Sequence, residues 1–361
     1  MKRSSLKWLT LGFLLIYIPA HAEGVLEAIK SKLSAEPPYT VVDTRYEVGY
    51  TVGIPSLHWV DNTQLLFTGG TKDEARGKLH LWNDKTKSVQ RYAEAESACF
   101  SNGFIRYQVR MDQVARKRIV REGPFGSEKE IEEPLLSKEE LRKMPRVHSN
   151  FTCKVHLRSE LAPPAPNTRN VAVLRDGDGY LDLGPWDIDT KERKTFPRNL
   201  TLYQGKTGKA IQLPMTWEED IASYDVFYSE YRSAYIVHPK KPRGAPLELN
   251  IQWPKDQPLI VYLLWPNGQT ETVSIPYWPT EYLSRPQPVK SGWIFGGGNF
   301  YKASGLYLFD GKTVSEIDTG QVWGTAVSPD GCKAAVAIQN KHLEGGAPIN
   351  LKIFNFCKGG K

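Results

Sequence analysis

The chain has 361 residues, of which 40% are hydrophobic and 11% aromatic, and its 47 Lys and Arg against 40 Asp and Glu give a net charge of +7. This composition is globular, and a chain of this length can bury a substantial core. The sequence contains neither a concentrated basic face nor a motif that interleaves basic with aromatic residues, so nucleic acid is not expected as a partner. The densest basic run, residues 238–246, contains prolines and is interpreted as a solvated loop.

Residues 1–22 have the three parts of a secretory signal peptide. Lys2, Arg3 and Lys7 precede an apolar stretch of about 12 residues, and the A-x-A sequence of a cleavage site follows. The apolar stretch is shorter than the roughly 20 residues of a membrane-spanning helix, so a cleaved signal is favoured over a retained N-terminal anchor. Cleavage leaves 47 − 3 = 44 Lys and Arg against 40 Asp and Glu, a net charge of +4. We therefore expect a mature protein without a transmembrane segment, periplasmic or secreted.

Residues 23–38 are predicted to form a short N-terminal helix and a linker. Leu26, Ile29 and Leu33 recur at helical spacing on one side, and a proline ends the pattern. Everything that follows, residues 39–361, is predicted to be a single domain.

That domain repeats one short pattern, in which two apolar residues two positions apart are followed by an aromatic residue. The pattern ends at Trp82, Tyr203, Trp265, Phe309 and Phe354. In four of the five copies a turn containing Asn, Asp or Gly leads into a second alternating stretch, which predicts a β-hairpin. The last three aromatic residues are 44 and 45 positions apart, close to the roughly 40–45 residues of one four-stranded propeller blade.

One copy of the strand that precedes such a hairpin is especially clear. In VSPDGCKAAVAI, residues 327–338, the segment Ser328-Pro329-Asp330-Gly331 supplies a tight turn, because Pro fixes φ and Asp-Gly accepts the turn conformation. This stretch resembles the strand–turn–strand repeat of the TolB-like and WD40-like β-propellers of exported bacterial proteins. The resemblance is close here and degenerate in the other copies. It implies an architecture and no active site.

The predicted fold is therefore all-β: a β-propeller of about six four-stranded blades, with seven as the alternative count. The predicted blades are residues 55–95, 96–148, 149–215, 220–277, 286–318 and 321–357. The last blade ends at its third strand, and we expect residues 39–52 to supply its fourth strand and close the ring, which removes exposed sheet edges. A sandwich of two sheets is the alternative fold.

The last two cysteines flank a predicted hairpin. A symmetric hairpin that pairs Val336 with Ile353 places Cys332 directly opposite Cys357, at a separation that a disulfide accepts. A signal peptide implies an oxidising compartment, in which such a bond is expected to form.

The other two cysteines, Cys99 and Cys153, are expected on the innermost strands of the second and third blades and pair by elimination. The spacings between successive cysteines, 54, 179 and 25 residues, match neither a redox C-x-x-C nor a zinc site. The histidines are scattered, and the sequence lacks a nucleophile elbow and a phosphate-binding glycine loop. No cofactor is therefore predicted.

One stretch has the spacing of a calcium loop. Asp176, Asp178 and Asp182 are placed like the short oxygen side chains of such loops, around a glycine turn. Leu174 occupies the first ligand position, so a plain Asp-Gly hairpin is the favoured interpretation and no metal is predicted.

The predicted ligand site lies on two linkers between blades, residues 214–225 and 275–286, where aromatic residues stand beside carboxylates. The candidate ligand-binding residues are Trp217, Glu218, Glu219, Asp220, Trp278, Glu281 and Tyr282. Aromatic rings could stack on a sugar or a peptide, and the carboxylates would favour a neutral or cationic ligand. The alternative is that Trp217 and Trp278 only fill gaps between blades.

The function predicted from these features is an exported binding or assembly module of the cell envelope, a monomer, with no recognisable catalytic set. Its partner would be an envelope protein or a carbohydrate or peptide ligand. The alternative is a hydrolase or lyase of polysaccharide or peptidoglycan on the propeller scaffold. For this, two of the carboxylates Glu218, Glu219, Asp220 and Glu281 would have to converge in one pocket.

Overall fold

The structure of the chain is a computed structural model. It describes residues 39–48, 56–70, 78–95, 98–135, 137, 139, 147–150, 152–153, 171–175, 179–183, 199–205, 207–216, 223–240, 258–276, 285–297, 305–339 and 348–357. These residues form 25 β-strands. None of the described segments is a helix of the length and apolarity needed to cross a membrane.

Strands that follow one another along the chain pair into four-stranded antiparallel sheets, which we number in chain order. Sheet 1 contains β2 (Leu57–Trp59), β3 (Gln64–Gly70), β4 (Leu79–Asn83) and β5 (Ser88–Ala93). Sheet 2 contains β6 (Ala98–Ser101), β7 (Phe104–Asp112), β8 (Lys117–Pro124) and β9 (Lys129–Pro134). Both sheets lie within the ranges predicted for the first two blades.

Sheets 4 and 5 have the same antiparallel order. Sheet 4 contains β15 (Ser223–Ser229), β16 (Ala234–Lys240), β17 (Leu259–Leu264) and β18 (Thr270–Ile275). Sheet 5 contains β19 (Gln287–Val289), β20 (Gly292–Gly297), β21 (Gly305–Phe309) and β22 (Val314–Thr319).

Sheet 3 has one strand more than the prediction. Its antiparallel part contains β11 (Val171–Val173), β12 (Gly179–Asp182), β13 (Asn199–Gln204) and β14 (Lys209–Thr216). A fifth strand, β10 (Val147–Asn150), pairs in parallel with β11. The hairpin predicted around the Asp-Gly turn is present as β11 and β12.

Sheet 6 combines the two ends of the described chain. It contains β23 (Gln321–Val327), β24 (Lys333–Gln339), β25 (Ile349–Asn355) and β1 (Thr40–Val48). β1 pairs antiparallel with β25, so the N-terminal strand is the fourth strand of the last sheet, as expected. At its far end β1 also pairs with β3, through Glu47 opposite Gly70 and Val48 opposite Gly69, so hydrogen bonding continues from sheet 6 into sheet 1.

Burial varies in a regular way from strand to strand. The second strands other than β7 are buried along most of their length, as in β24, where Ala334–Ile338 are all buried. Continuous burial explains their unbroken apolar sequences, because both faces of the strand contact protein. The last strands are mostly exposed, as in β22 and β5, and their sequences are polar.

Buried apolar clusters join neighbouring sheets. Pairs that represent these clusters are Leu66 and Ile105 for sheets 1 and 2, Leu202 and Tyr235 for sheets 3 and 4, Val261 and Phe295 for sheets 4 and 5, Ile294 and Val336 for sheets 5 and 6, and Leu65 and Leu351 for sheets 1 and 6. Sheets 1 and 6 thus share a buried cluster, as do the four consecutive pairs named above. Burial of this kind stabilises by roughly 25 cal/mol for each Å² of apolar surface removed from water.

Both predicted disulfides are present. Cys99 is bonded to Cys153 and Cys332 to Cys357, with Cα–Cα distances of 5.4 and 5.0 Å. The first of them joins β6 of sheet 2 to the segment that follows β10. Cys153 was expected on an innermost strand, and that detail is wrong, because it lies in a bend after β10.

The predicted register of the last hairpin is wrong by one residue. Val336 lies opposite Lys352, and Ile353 lies opposite Ala335. Cys332 precedes β24, and its carbonyl oxygen accepts a hydrogen bond from the amide of Phe356 at 2.7 Å. The disulfide therefore forms diagonally just beyond the ends of the strands, where the backbones are still close.

Candidate functional site

A cavity of about 430 Å³ lies where the first antiparallel strands of the six sheets meet. It is lined by Leu57–Trp59, Cys99–Ser101, Arg175, Val226–Glu230, Arg285, Gln287 and Thr325–Val327. Each of these segments belongs to the first antiparallel strand of a sheet or stands beside it. Aromatic, aliphatic and polar groups all contribute, as is typical of small-molecule sites in proteins.

Arg175 is the most deeply buried charged group in this lining, with 7% of its side chain exposed. Its Nη1 donates to Oε1 of Glu230 at 2.6 Å, and its guanidinium lies over the ring of Tyr228, 4.4 Å from the ring centre. Burial alone would lower the pKa of Arg175, but the hydrogen bond and the charge of Glu230 outweigh it and raise the pKa. The arginine is therefore a fixed positive charge in the cavity wall.

The fold fixes the position of Arg175 as well. It follows the buried strand β11, and its backbone amide donates to the hydroxyl of Tyr235 at 2.6 Å, in the neighbouring sheet. Burial also raises the pKa of Tyr228, although the charge of Arg175 acts in the opposite direction. Tyr228 thus remains a neutral ring in contact with the guanidinium.

His58 contributes a neutral side chain to the lining. Its Nε2 donates to the carbonyl oxygen of Ala98 at 3.1 Å, which joins sheet 1 to sheet 2. Burial lowers the pKa of His58, and the hydrogen bond to Ala98 offsets this only in part. The imidazole is therefore uncharged near neutral pH.

Two further side chains hold neighbouring first strands together. Trp59 Nε1 donates to the carbonyl oxygen of Ala326 at 2.9 Å, between sheets 1 and 6. Gln287 Nε2 donates to the carbonyl oxygen and the hydroxyl of Thr325 at 2.8 and 2.9 Å, between sheets 5 and 6. These hydrogen bonds make the cavity wall a preformed surface, which a ligand can bind without first ordering it.

The lining offers binding groups more readily than catalytic ones. Its described acidic and basic groups are Arg175, Arg285, Glu230 and the neutral His58. Cys99 is held in its disulfide. Across the described ranges, no group of three or more His, Cys, Asp or Glu is placed to hold a metal ion.

The residues predicted as a ligand site fall outside the part of the chain that the structure describes. Outside the described residues are Trp217, Glu218, Glu219, Asp220, Trp278, Glu281, Tyr282, Asp176 and Asp178. Of the calcium candidates, only Asp182 is described. It is buried in β12 opposite Val171, at the end of the hairpin away from the Asp-Gly turn.

Sequence reasoning identified most of the strands that line the cavity but missed the cavity itself. One available signal was β23, whose residues are mostly half-buried while those of the neighbouring β24 are almost all buried. Arg175, a charge at the end of the apolar run Val171–Leu174, was a second signal. It stands directly before the aspartates that suggested a metal loop.

No protein-family model and no curated protein matches the chain. Solved structures do resemble it. One is an oligogalacturonate lyase in complex with manganese, at 14% identity over 89% of this chain and 94% of that one, with a TM-score of 0.48. Another is the β-propeller domain of the Trilobed protease from Pyrococcus furiosus, at 11% identity over 80% of each chain, with a TM-score of 0.32.

A third is the WD40 β-propeller domain of Doa1, at 11% identity over 88% of this chain and 97% of that one, with a TM-score of 0.34. Two of these three structures are β-propeller domains by name, the class that the sequence resembles.

Proposed function

We propose that the chain is an exported β-propeller of six blades, closed into a ring by β1, and that it acts as a binding or assembly module of the cell envelope. Sheets 1 to 6 would be the blades. The buried clusters join five of the six neighbouring pairs, including sheet 6 with sheet 1, and the Cys99–Cys153 disulfide supports the contact between sheets 2 and 3. β1 adds hydrogen bonds from the last sheet to the first.

The observation that carries a binding function is the cavity to which all six sheets contribute. Its volume of about 430 Å³ lies within the roughly 300–1,000 Å³ of typical ligand sites. The aromatic Trp59, Phe100 and Tyr228 offer contact area, and the two arginines and Glu230 offer orientation. A carbohydrate, a peptide or a protruding segment of an envelope protein would fit this combination.

The experiment is retention of envelope material by immobilised protein, followed by Tyr228→Ala. Removing a ring from the cavity wall should abolish retention. The matched control is Tyr307→Ala, since Tyr307 is also partly buried but stacks on Phe295 in sheet 5 and is not among the residues that line the cavity. Equal retention by both variants, with unchanged melting curves, would exclude the cavity as the binding site.

The same assay separates the cavity from the linker site predicted by the sequence. If the ligand binds on the linkers, Trp217→Ala and Trp278→Ala should abolish retention while Tyr228→Ala preserves it. If these tryptophans fill gaps between blades, their replacement should instead cost on the order of 3–5 kcal/mol of folding free energy, as for other buried tryptophans.

Export is tested separately. Full-length protein expressed with residues 1–22 should be recovered from the periplasm or the medium with a new N-terminus at Glu23. Cytoplasmic protein that retains Met1 or its neighbours would contradict the signal peptide.

A further inference from the structure

We propose that Arg175 is the receptor for a carboxylate group of the ligand, and that this carboxylate competes with Glu230 for the guanidinium. The inference rests on the proposed binding function of the cavity and names the chemistry of its ligand. The carboxylate could belong to an amino acid or to an acidic sugar, and the probes below distinguish these two sources.

The guanidinium of Arg175 is incompletely paired within the described residues. An arginine carries five N–H donors in a planar fork that matches two carboxylate oxygens. Arg175 uses Nη1 for Oε1 of Glu230, whereas its buried Nε has no hydrogen-bond partner among the residues that the structure describes. Buried donors are nearly always paired in folded proteins, so an unpaired one beside a cavity indicates a partner that arrives from outside.

Arg175 and Glu230 are unequally buried in their ion pair. Only 7% of the Arg175 side chain is exposed, against 39% for Glu230, which stands directly after β15. The Glu230 carboxylate can therefore turn into solvent, because water can replace the guanidinium as its hydrogen-bond partner. The buried guanidinium cannot lose its counter-charge in the same way. A second carboxylate is the group that would let Glu230 leave.

Two contacts hold Arg175 in a fixed position. Tyr228 supports one face of the guanidinium, and the amide of Arg175 is bonded to Tyr235. An incoming carboxylate would thus meet a charge that is already oriented, which lowers the entropy lost on binding. Exchange of Glu230 for the ligand would keep the buried Arg175 paired with an anion.

The test uses calorimetry on the protein purified after expression of the full chain, with two matched pairs of probes. N-acetylglycine is compared with its neutral amide, N-acetylglycinamide, and glucuronate with neutral glucose. Both acids should bind more tightly than their neutral partners if the carboxylate is the recognised group. The acid that binds better identifies the source as an amino acid or a sugar.

Glu230→Gln is the decisive variant, because it preserves the shape of the side chain and removes its charge. Losing the internal competitor should increase the affinity for the better acid by about tenfold or more, which corresponds to about 1.4 kcal/mol. Affinity for the neutral probes should not change. The matched control is Glu271→Gln, which removes a carboxylate paired with Arg232 at 3.0 Å in the same sheet, outside the cavity lining.

Arg175→Lys keeps the charge but removes the fork, and should weaken binding of the acid in the Glu230→Gln background. The proposal is overturned if no acid binds to either the wild type or Glu230→Gln, or if Glu230→Gln leaves the affinity unchanged. Retention of envelope material that depends on Tyr228 would in that case still support the binding function. If the protein retains no envelope material and also binds no acid, both the binding function and the carboxylate proposal are overturned.

Discussion

Replacing Gly331 by Ala should destabilise the protein far more than the same change at another turn glycine. Gly331 has a φ of +73°, which disfavours any residue with a Cβ, and a Cβ built there would lie 2.6–2.7 Å from three ring atoms of Tyr231. One of these atoms is Cγ, which lies on the Cβ–Cγ axis of ring rotation, so turning the ring about that bond does not remove the overlap. Tyr231 lies in the β15–β16 turn of sheet 4, and Gly331 in the β23–β24 turn of sheet 6.

The magnitude has two parts. The left-handed conformation should cost about 1–2 kcal/mol for Ala, and the steric overlap a further 1–3 kcal/mol, as for other overpacked sites. Gly311 is the matched control: its φ is +96°, and a Cβ there meets nothing within 4 Å. Gly311→Ala should therefore lose only the first part, about 1–2 kcal/mol.

Urea denaturation followed by tryptophan fluorescence would measure these free energies of unfolding. In a Tyr231→Ala background the overlap is gone, so Gly331→Ala should then cost no more than Gly311→Ala. The coupling energy from this double-mutant cycle should be about 1–3 kcal/mol. If Gly331→Ala is no worse than Gly311→Ala in the wild type, the contact between the two turns does not exist as described.

Two further predictions concern the disulfides and pH. The Cys332–Cys357 disulfide closes a loop of 25 residues, so replacing both cysteines by Ser should lower the free energy of unfolding by about 3.5 kcal/mol. The Cys99–Cys153 disulfide closes a loop of 54 residues, and its removal should lower that free energy by about 4 kcal/mol. Urea midpoints unchanged by either pair of substitutions would contradict this. Burial lowers the pKa of His58 in the folded protein, so as pH decreases the unfolded chain takes up the proton of this histidine before the folded protein does. The free energy of unfolding should therefore fall as pH decreases below about 6.5, by at most about 1.4 kcal/mol per pH unit from this group. His58→Gln should flatten that part of the pH profile, and an unaltered profile would show that His58 is not the responsible group.

The sequence predicted the sheets well because their third strands carry a recognisable signal. Two apolar residues and an aromatic residue, followed by a polar turn, mark β4, β13, β17 and β21.

The pairing register of the strands was harder to predict from the sequence, as the last hairpin shows. Ala334–Ile338 are buried on both faces, so sliding β24 by one residue exposes no apolar side chain and the pattern cannot distinguish the two registers. The parallel strand β10 carries only one apolar residue in four, so no alternation indicated it.

The cavity could not be predicted for a different reason. Each sheet contributes only a few of its residues, and segments as far apart as Leu57 and Val327 meet there. Their convergence is a property of how the sheets are arranged, whereas a sequence pattern reports one strand at a time. Aromatic residues beside carboxylates on the linkers gave a stronger local signal than a single arginine after β11, and they directed the sequence-based prediction to the linkers.

The position of β1 has a consequence for the order in which the protein can fold. Thr44 donates to the carbonyl oxygen of Leu351 at 2.7 Å, across 307 residues of chain, and β1 is fully paired only when β25 has been made. A ribosome delivers β1 long before β25, so most of β1 lacks its partner strand until the residues between them have been made. Contacts this distant along the chain form slowly. A newly made chain would thus remain incompletely folded until β25 has emerged, and a chain in that state can still pass through a narrow channel, as the export proposed above requires.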